Sequence, residues 1–410
     1  MRPRHTQHSL PTFPVYSSAF LSPSQLVLGG GGGASRSGIK NKLRLYDVTQ
    51  DRTIDLRDEF ELEKGEDAPM SMAAHLESQG IICGINSVLE KLEKGENQNC
   101  RTFNIVNSKF NLLEMRSTLT GNDMDDYQKV TALSPDGTLL AVAGSHDLTL
   151  LSYPSLIPVS RPIHTEREIY DVTLSNDLLI VATTHNLFAY SLSSIPPDKP
   201  NTLPTSPKKV QKRTKSDGIG QAEKLHALDL KHTAELPAST GEGSTFRAAR
   251  YHPTDADVLY TIVNTAPSRS RKSKSTSRQA FVLKWNTRTW TVDKYRKISD
   301  RSITCVDMSP DGRFLGYGSS DLSIGMLDTK TLSPLITILK AHEFPPTTIR
   351  FNLSTTLLVS GSADNTIRIV SIPSVVGGSS WAFIIILILT IITLLLAIAT
   401  RQLSSEGFKW

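Results

Sequence analysis

Five consecutive glycines, Gly29 to Gly33, form the segment of this sequence best suited to bind a ligand through its backbone. Bare N–H groups in a glycine-rich loop can hold phosphates at the start of a helix. The spacing does not fit that use, because Ile39 and Lys40 follow Gly38 where a P-loop requires Lys and then Ser or Thr. The last glycine of the dinucleotide-binding motif is missing as well, and residues 43–48 alternate as a β-strand rather than a helix.

The glycine run instead favours a cation site or a partner-binding loop. Glycine carbonyls carry no shielding side chain, so several of them can converge on one hard monovalent or divalent cation. A bound cation would make the loop rigid, and a rigid loop could present Ile39, Lys40 and Asn41 to a partner. The alternative is a flexible connection without a function of its own.

Three segments of the chain share one pattern, which consists of a turn, an apolar strand, a Gly-Ser-x-Asp turn and a second alternating strand. They begin at Ser134, Ser309 and Asn352. The interval between the corresponding glycines Gly318 and Gly361 matches the length of one four-stranded propeller blade. The aspartates of these turns are predicted to bond to nearby backbone N–H groups; they are Asp147, Asp321 and Asp364.

Weaker copies of the pattern bring the number of units to seven between roughly residues 10 and 373. The last unit has only three strands, so the N-terminal segment around residues 8–16 is predicted to supply the outer strand that closes the ring. The pattern resembles a divergent WD repeat. His342 lies 22 residues before Asp364, which fits the structural His–Asp pairing of such blades. We therefore predict an all-β fold, a seven-bladed WD-repeat propeller over residues 1–375, with the glycine run in the first blade.

Residues 381–400 form an uncharged apolar run that would span about 30 Å as a helix. This predicts one C-terminal transmembrane helix, followed by a short lumenal tail at 401–410. The N-terminus has no apolar signal core, so the propeller is expected to remain cytosolic. Three scattered cysteines agree with a reducing compartment; they are Cys83, Cys100 and Cys305.

The formal net charge of +5 comes from two Pro/Ser-rich basic inserts, at about 198–222 and 266–278. Without their ten clustered Lys and Arg residues the remainder is mildly acidic. The inserts are predicted to be disordered loops. Contact with anionic lipid headgroups is an alternative role for them.

A membrane-anchored propeller with the sequence GGGGGASRSGIKNKL in its first blade resembles the Sec-twelve/PREB family. Members of that family are endoplasmic-reticulum guanine-nucleotide exchange factors for the Sar-type small GTPase that starts COPII coat assembly. The resemblance implies that the loop binds a potassium ion through Gly29, Gly30, Gly31, Gly32 and Gly33. It also implies that Gly38, Ile39, Lys40 and Asn41 form the exchange element, with Asn41 as the residue that promotes exchange.

The resemblance thus implies an exchange factor that acts without covalent chemistry. One rival function is a membrane-tethered scaffold, since many propellers only assemble other proteins. A second rival is a nucleic-acid binder that uses the basic inserts. The acidic remainder and the lack of aromatic residues in the inserts argue against the second rival, and no nucleic acid is expected as a partner.

Overall fold

The computed structural model describes residues 3–34, 37–119, 123–193, 225–241, 243–266, 278–373 and 381–406. It contains two compact units, Met1–Ile372 and Pro373–Trp410. Both basic inserts lie almost wholly outside the described residues, so their predicted disorder stays a prediction.

Over these described ranges, the strands of the first unit form seven antiparallel sheets of four strands each. Blade 1 consists of β2 (Val15–Phe20), β3 (Gln25–Gly30), β4 (Lys42–Val48) and β5 (Ile54–Glu61). Blade 2 consists of β6 (Ser71–His75), β7 (Gly80–Gly84), β8 (Cys100–Val106) and β9 (Lys109–Arg116), with a short helix, α1 (Leu89–Leu92), between β7 and β8. Blade 3 consists of β10 (Val130–Leu133), β11 (Leu139–Ala143), β12 (Asp147–Ser152) and β13 (Ile163–His164).

The next three blades follow the same order of strands. Blade 4 consists of β14 (Ile169–Leu174), β15 (Leu178–Thr183), β16 (Asn186–Ser191) and β17 (Leu230–Glu235). Blade 5 consists of β18 (Ser244–His252), β19 (Asp255–Thr265), β20 (Ala280–Asn286) and β21 (Thr291–Ser299), preceded by a 3₁₀ turn at Ala238–Thr240. Blade 6 consists of β22 (Ile303–Met308), β23 (Phe314–Ser319), β24 (Ile324–Asp328) and β25 (Pro334–Ile338).

Blade 7 closes the ring with strands from both ends of the propeller. It consists of β26 (Pro346–Phe351), β27 (Leu357–Ser362), β28 (Thr366–Ser371) and β1 (His5–Ser9). The strand β1 runs antiparallel to β28, with His5 opposite Val370 and Ser9 opposite Thr366. The predicted seven blades and N-terminal closing strand are confirmed. The closing strand begins earlier than predicted, because Pro11 and Pro14 interrupt the chain after β1.

The core of the propeller lies between neighbouring blades. At the closure, leucines 26 and 28 of blade 1 pack with Leu357, Val359 and Ile367 of blade 7, and all five are buried. Each strand places alternate side chains on its two faces, and both faces are covered by adjacent blades, so the second strand of each blade is largely buried. The first blade is therefore held between two neighbours and gives its loops a rigid base.

The turn residues predicted from the repeat are confirmed in two of three cases. Asp321 accepts a hydrogen bond from the Ser323 N–H, and Asp364 accepts one from the Thr366 N–H. Asp147 differs, because its carboxylate lies 2.8 Å from Nδ1 of His164 on the neighbouring strand.

The predicted pairing of His342 with Asp364 is confirmed as a structural contact within blade 7. The His342 side chain is fully buried, and its Nδ1 lies 3.7 Å from Oδ2 of Asp364. Its closer partners are the hydroxyls of Thr366 at 2.8 Å and Ser360 at 2.7 Å. Burial and the nearby Arg368 lower the pKa of His342 to about 4, while the Asp364 charge opposes that shift.

The second unit contains one helix, α2 (Trp381–Glu406). Within the described part of the chain, no helix is both long enough and apolar enough to cross a membrane. The predicted transmembrane helix at 381–400 is therefore not confirmed.

Candidate functional site

The glycine run does not lie wholly in a loop. Gly29 and Gly30 are the last residues of β3, a strand paired with β2 on one side and β4 on the other. Gly29 is opposite Leu43, and Gly30 is opposite Lys42. Backbone groups of a strand with two neighbours point into the ladder, so these two glycines are poorly placed to bind a cation. The connection between β3 and β4 therefore comprises residues 31–41, and of the five-glycine run only Gly31, Gly32 and Gly33 lie in it.

Asn41 fixes the shape of this loop. Its Oδ1 accepts a hydrogen bond from the Gly33 N–H at 2.9 Å, and its Nδ2 donates to the Gly33 carbonyl at 2.9 Å. The same Nδ2 donates to the Glu66 carbonyl at 2.7 Å. One amide side chain thus ties the start of the loop to its end and ties both to the segment that leads into blade 2.

The prediction that Asn41 projects toward a partner is wrong for this conformation. Asn41 is only 9% exposed, whereas Gly38 and Lys40 are exposed and Ile39 is half-buried. The physical reason is that a carboxamide with three backbone partners gains more from those bonds than from water. Residues 38–40 form the accessible tip, and Asn41 supports it from below. Nothing in this arrangement tests the part that these four residues would take in exchange.

Gly31 allows the side chain of Asn41 to approach the backbone. Its φ is +142°, within the left-handed region that favours glycine. A Cβ at position 31 would lie 2.2 Å from Oδ1 of Asn41 and 2.7 Å from the Lys40 carbonyl oxygen. A side chain at this position would therefore displace the amide that fastens the loop.

The second wall of the site is the connection from blade 1 to blade 2, residues 62–70. Asp67 accepts a hydrogen bond from the Ala34 N–H at 3.0 Å and another from the Ala68 N–H at 2.7 Å. The carboxylate is half-buried, and burial raises its pKa, although the two N–H bonds oppose the shift. Among the residues described, no Lys, Arg or His forms an ion pair with it. Asp67 therefore brings a negative charge without a countercharge to the loop glycines.

A buried ion pair holds this second wall in place. The Glu66 carboxylate accepts a hydrogen bond from an Arg101 NH₂ group at 2.6 Å, and both side chains are 4% exposed. Its other oxygen accepts from the Glu63 N–H at 3.0 Å. A buried pair of this kind fixes geometry, because removing either partner leaves an uncompensated charge in the interior.

The tip of the loop is bordered by charged side chains of the outer strand. Lys40 Nζ lies 2.7 Å from Glu61, and both side chains are well exposed. Lys42 and Arg44 on β4 both contact Glu59 on β5. Exposed pairs such as Lys40–Glu61 contribute little to stability and exchange easily for pairs with a partner.

Sequence reasoning identified Asn41 and the loop glycines but missed Glu66, Asp67 and Arg101. These three residues lie on other connections and strands, and they meet the loop only because adjacent blades pack together. No spacing within the sequence connects them to positions 31–41. The one local signal is the acidic turn after β5, which also fits an ordinary solvated turn.

The comparisons with known proteins agree with this architecture. A model of the WD domain, G-beta repeat, matches residues 333–371, which contain the last strand of blade 6 and three strands of blade 7. The chain is 26% identical over 379 residues to the guanine nucleotide-exchange factor SEC12 of Candida glabrata, covering 90% of this chain and 73% of the relative. It is 24% identical over 376 residues to SED4 of the same organism, and 21% identical over 366 residues to SED4 of Saccharomyces cerevisiae.

The extent of these matches differs between relatives. The chain spans only 32% and 30% of the length of the two SED4 proteins, while the match covers 90% and 88% of this chain. The likeness therefore includes most of the propeller. This sequence likeness and the propeller fold support the resemblance to the Sec-twelve/PREB family.

Proposed function

We propose that this chain is a guanine-nucleotide exchange factor that releases GDP from a Sar-type small GTPase at the endoplasmic-reticulum membrane, the step that starts COPII coat assembly. The observation that carries the proposal is a loop with a fixed base and an accessible tip. The base is bound through Asn41 to Gly33 and Glu66, and the tip comprises residues 38–40. The name of the SEC12 relative supports the exchange activity.

An exchange factor needs binding energy rather than a reacting group. A small GTPase holds GDP through ordered switch segments and Mg²⁺, so a protein that prefers another arrangement of those segments weakens nucleotide binding. The contacts that select this arrangement must come from a rigid element, because the entropy cost of ordering a flexible loop would offset the binding energy of those contacts. The two-sided anchoring by Asn41 supplies that rigidity, and Ile39 and Lys40 supply apolar and charged contacts at the tip.

We further propose that potassium binds at the base of this loop. Asp67 suits such a site, because it is a half-buried carboxylate with a raised pKa and without an ion-pair partner in the described ranges. Carbonyl oxygens of loop residues 31–33 and the carboxylate of Asp67 form the type of oxygen donor set that hard cations take. When bound, the ion would supply the missing positive charge and hold the loop backbone to the segment 62–70.

The membrane location is proposed from the sequence. The uncharged run at 381–400 and the family resemblance are what support it. Attachment to a membrane would concentrate the propeller at the surface where its GTPase acts.

The test is release of a fluorescent GDP analogue from a purified Sar-type GTPase, with and without the full chain in mild detergent. We expect strong acceleration, and we expect none with a Ras-type GTPase as the specificity control. No acceleration by a folded chain would overturn the exchange proposal and leave a scaffold as the better account.

The potassium proposal has a separate readout, which is amide hydrogen exchange of Gly33 and Ala34 in potassium and in sodium buffer. We expect slower exchange in potassium for the wild type, because the ion would hold the loop. Asp67→Asn keeps an oxygen acceptor for the Ala34 N–H but removes the charge, so the difference between the two salts should disappear. Equal protection in both salts for the wild type would contradict the proposal.

A further inference from the structure

The inner strands of all seven blades surround a central cavity of about 320 Å³. The residues at its wall come from β2, β6, β10, β14, β18, β22 and β26 or directly precede them. Cavities of this volume are at the lower end of the range that binds small molecules. No described residue of the loop 31–41 lines it, so the cavity is a separate feature of the fold.

The charged lining of this cavity is mostly cationic. It contains one carboxylate, Asp171, and four cationic side chains, which are Lys129, Arg247, Arg250 and Arg350. The low-dielectric walls screen charges less than bulk water does, so the potential in the cavity depends on which of these cations lack a carboxylate partner.

Three of these cations already have carboxylate partners. Lys129 Nζ lies 2.5 Å from Glu168, and Arg350 lies 3.0 Å from Asp307. Arg250 donates a hydrogen bond to Asp171. These three pairs are electrically neutral in sum, so they do not by themselves favour an anion.

Arg247 differs from the other three. One of its NH₂ groups donates a hydrogen bond to the Thr304 carbonyl at 2.5 Å, and no carboxylate pairs with it in the part of the chain that the structure describes. The side chain is half-buried. A guanidinium in this position has lost part of its hydration without gaining a countercharge, and an anion would supply that countercharge. Its remaining N–H donors suit the oxygens of a phosphate.

The cavity also provides hydroxyl groups near the charged residues. Tyr16 and Tyr170 belong to the lining, together with the threonines at 131, 304 and 347. We infer that the central cavity binds a small phosphate-bearing anion, with Arg247 as its counter-ion. This site is independent of the exchange loop and of the proposed exchange activity.

The test is isothermal titration calorimetry of the full chain with pyrophosphate, at ionic strength held constant with chloride. We expect saturable binding to the wild type and at least tenfold weaker binding to Arg247→Gln. The matched control is Arg288→Gln, which removes the same charge at an exposed position after β20 and should bind as the wild type does. Circular dichroism of each variant verifies that it is folded.

Two further variants keep the test decisive if Arg247→Gln does not fold. Arg247→Lys retains the charge and should retain most of the affinity. Lys129→Gln leaves Glu168 without its partner at the cavity, so binding should weaken at least tenfold. The inference is overturned if the wild type gives no saturable heat at millimolar pyrophosphate. It is also overturned if folded Arg247→Gln or folded Lys129→Gln binds as tightly as Arg288→Gln.

Discussion

Asn41→Ala is predicted to release the loop of residues 31–41 while leaving the propeller folded. The substitution removes three hydrogen bonds at 2.7 to 2.9 Å, two to Gly33 and one to the Glu66 carbonyl. Each is worth about 1 kcal/mol net, so the anchored conformation should lose about 3 kcal/mol relative to open ones. That corresponds to roughly a hundredfold more frequent opening of the loop.

The assay is amide hydrogen exchange, because the Gly33 N–H is itself one of the lost donors. Its protection should fall by about a hundredfold in Asn41→Ala, while strands away from blade 1 keep their protection. The matched control is Lys40→Ala, the neighbouring residue. Lys40 forms only an exposed pair with Glu61, so its removal should leave Gly33 protection unchanged. Unchanged protection of Gly33 in Asn41→Ala would refute the reasoning that this side chain anchors the loop.

Three other perturbations test the site and its scaffold. Gly31→Ala should loosen the loop as Asn41→Ala does, because its Cβ would lie 2.2 Å from Oδ1 of Asn41. Gly38→Ala is the matched control, since its Cβ would meet no atom within 4 Å. Because Gly38 has a φ of +77°, this variant should lower the free energy of unfolding by only about 1 kcal/mol, measured by thermal unfolding. Arg101→Met should lower the free energy of unfolding in urea by about 3–5 kcal/mol, since it leaves the buried Glu66 carboxylate unpaired. A decrease no larger than the experimental error would show that the Arg101–Glu66 pair does not stabilise the fold. The pKa of His342 is about 4 in the folded protein and 6.5 in the unfolded chain. As the pH drops from 6.5 towards 4, the unfolded chain binds a proton that the folded protein does not, so the free energy of unfolding should fall, by about 2 kcal/mol at pH 5. That slope should be reduced in a folded His342→Gln variant, and an equal slope in both proteins would assign it to other groups.

The sequence was sufficient to predict the propeller because its signals repeat. The turn–strand–turn pattern around Ser309 and Asn352 recurs at the length of one blade, and each copy reinforces the others. The three-strand final unit also predicted the closing strand, although its position shifted from around residues 8–16 to His5–Ser9. Here local pattern and fold agree, so errors were limited to element boundaries.

The candidate site was predictable only in part. The glycine run and Asn41 stand together in the sequence, and the structure joins them through hydrogen bonds between Asn41 and Gly33. The sequence did not indicate that Gly29 and Gly30 end β3, because strand pairing with β4 extends into the run. Asp67 was missed because its contact with Ala34 joins residues on different connections. Such contacts follow from blade packing, which no local pattern encodes.

The central claim is that the anchored loop drives nucleotide release, and the most direct measurement compares the wild type with Asn41→Ala. GDP release from a purified Sar-type GTPase is followed with each full-length protein at equal concentration, after circular dichroism has shown that both are folded. The account predicts strong acceleration by the wild type and loss of most of it in Asn41→Ala. Equal acceleration by the two proteins would contradict the claim and move the exchange surface elsewhere on the propeller.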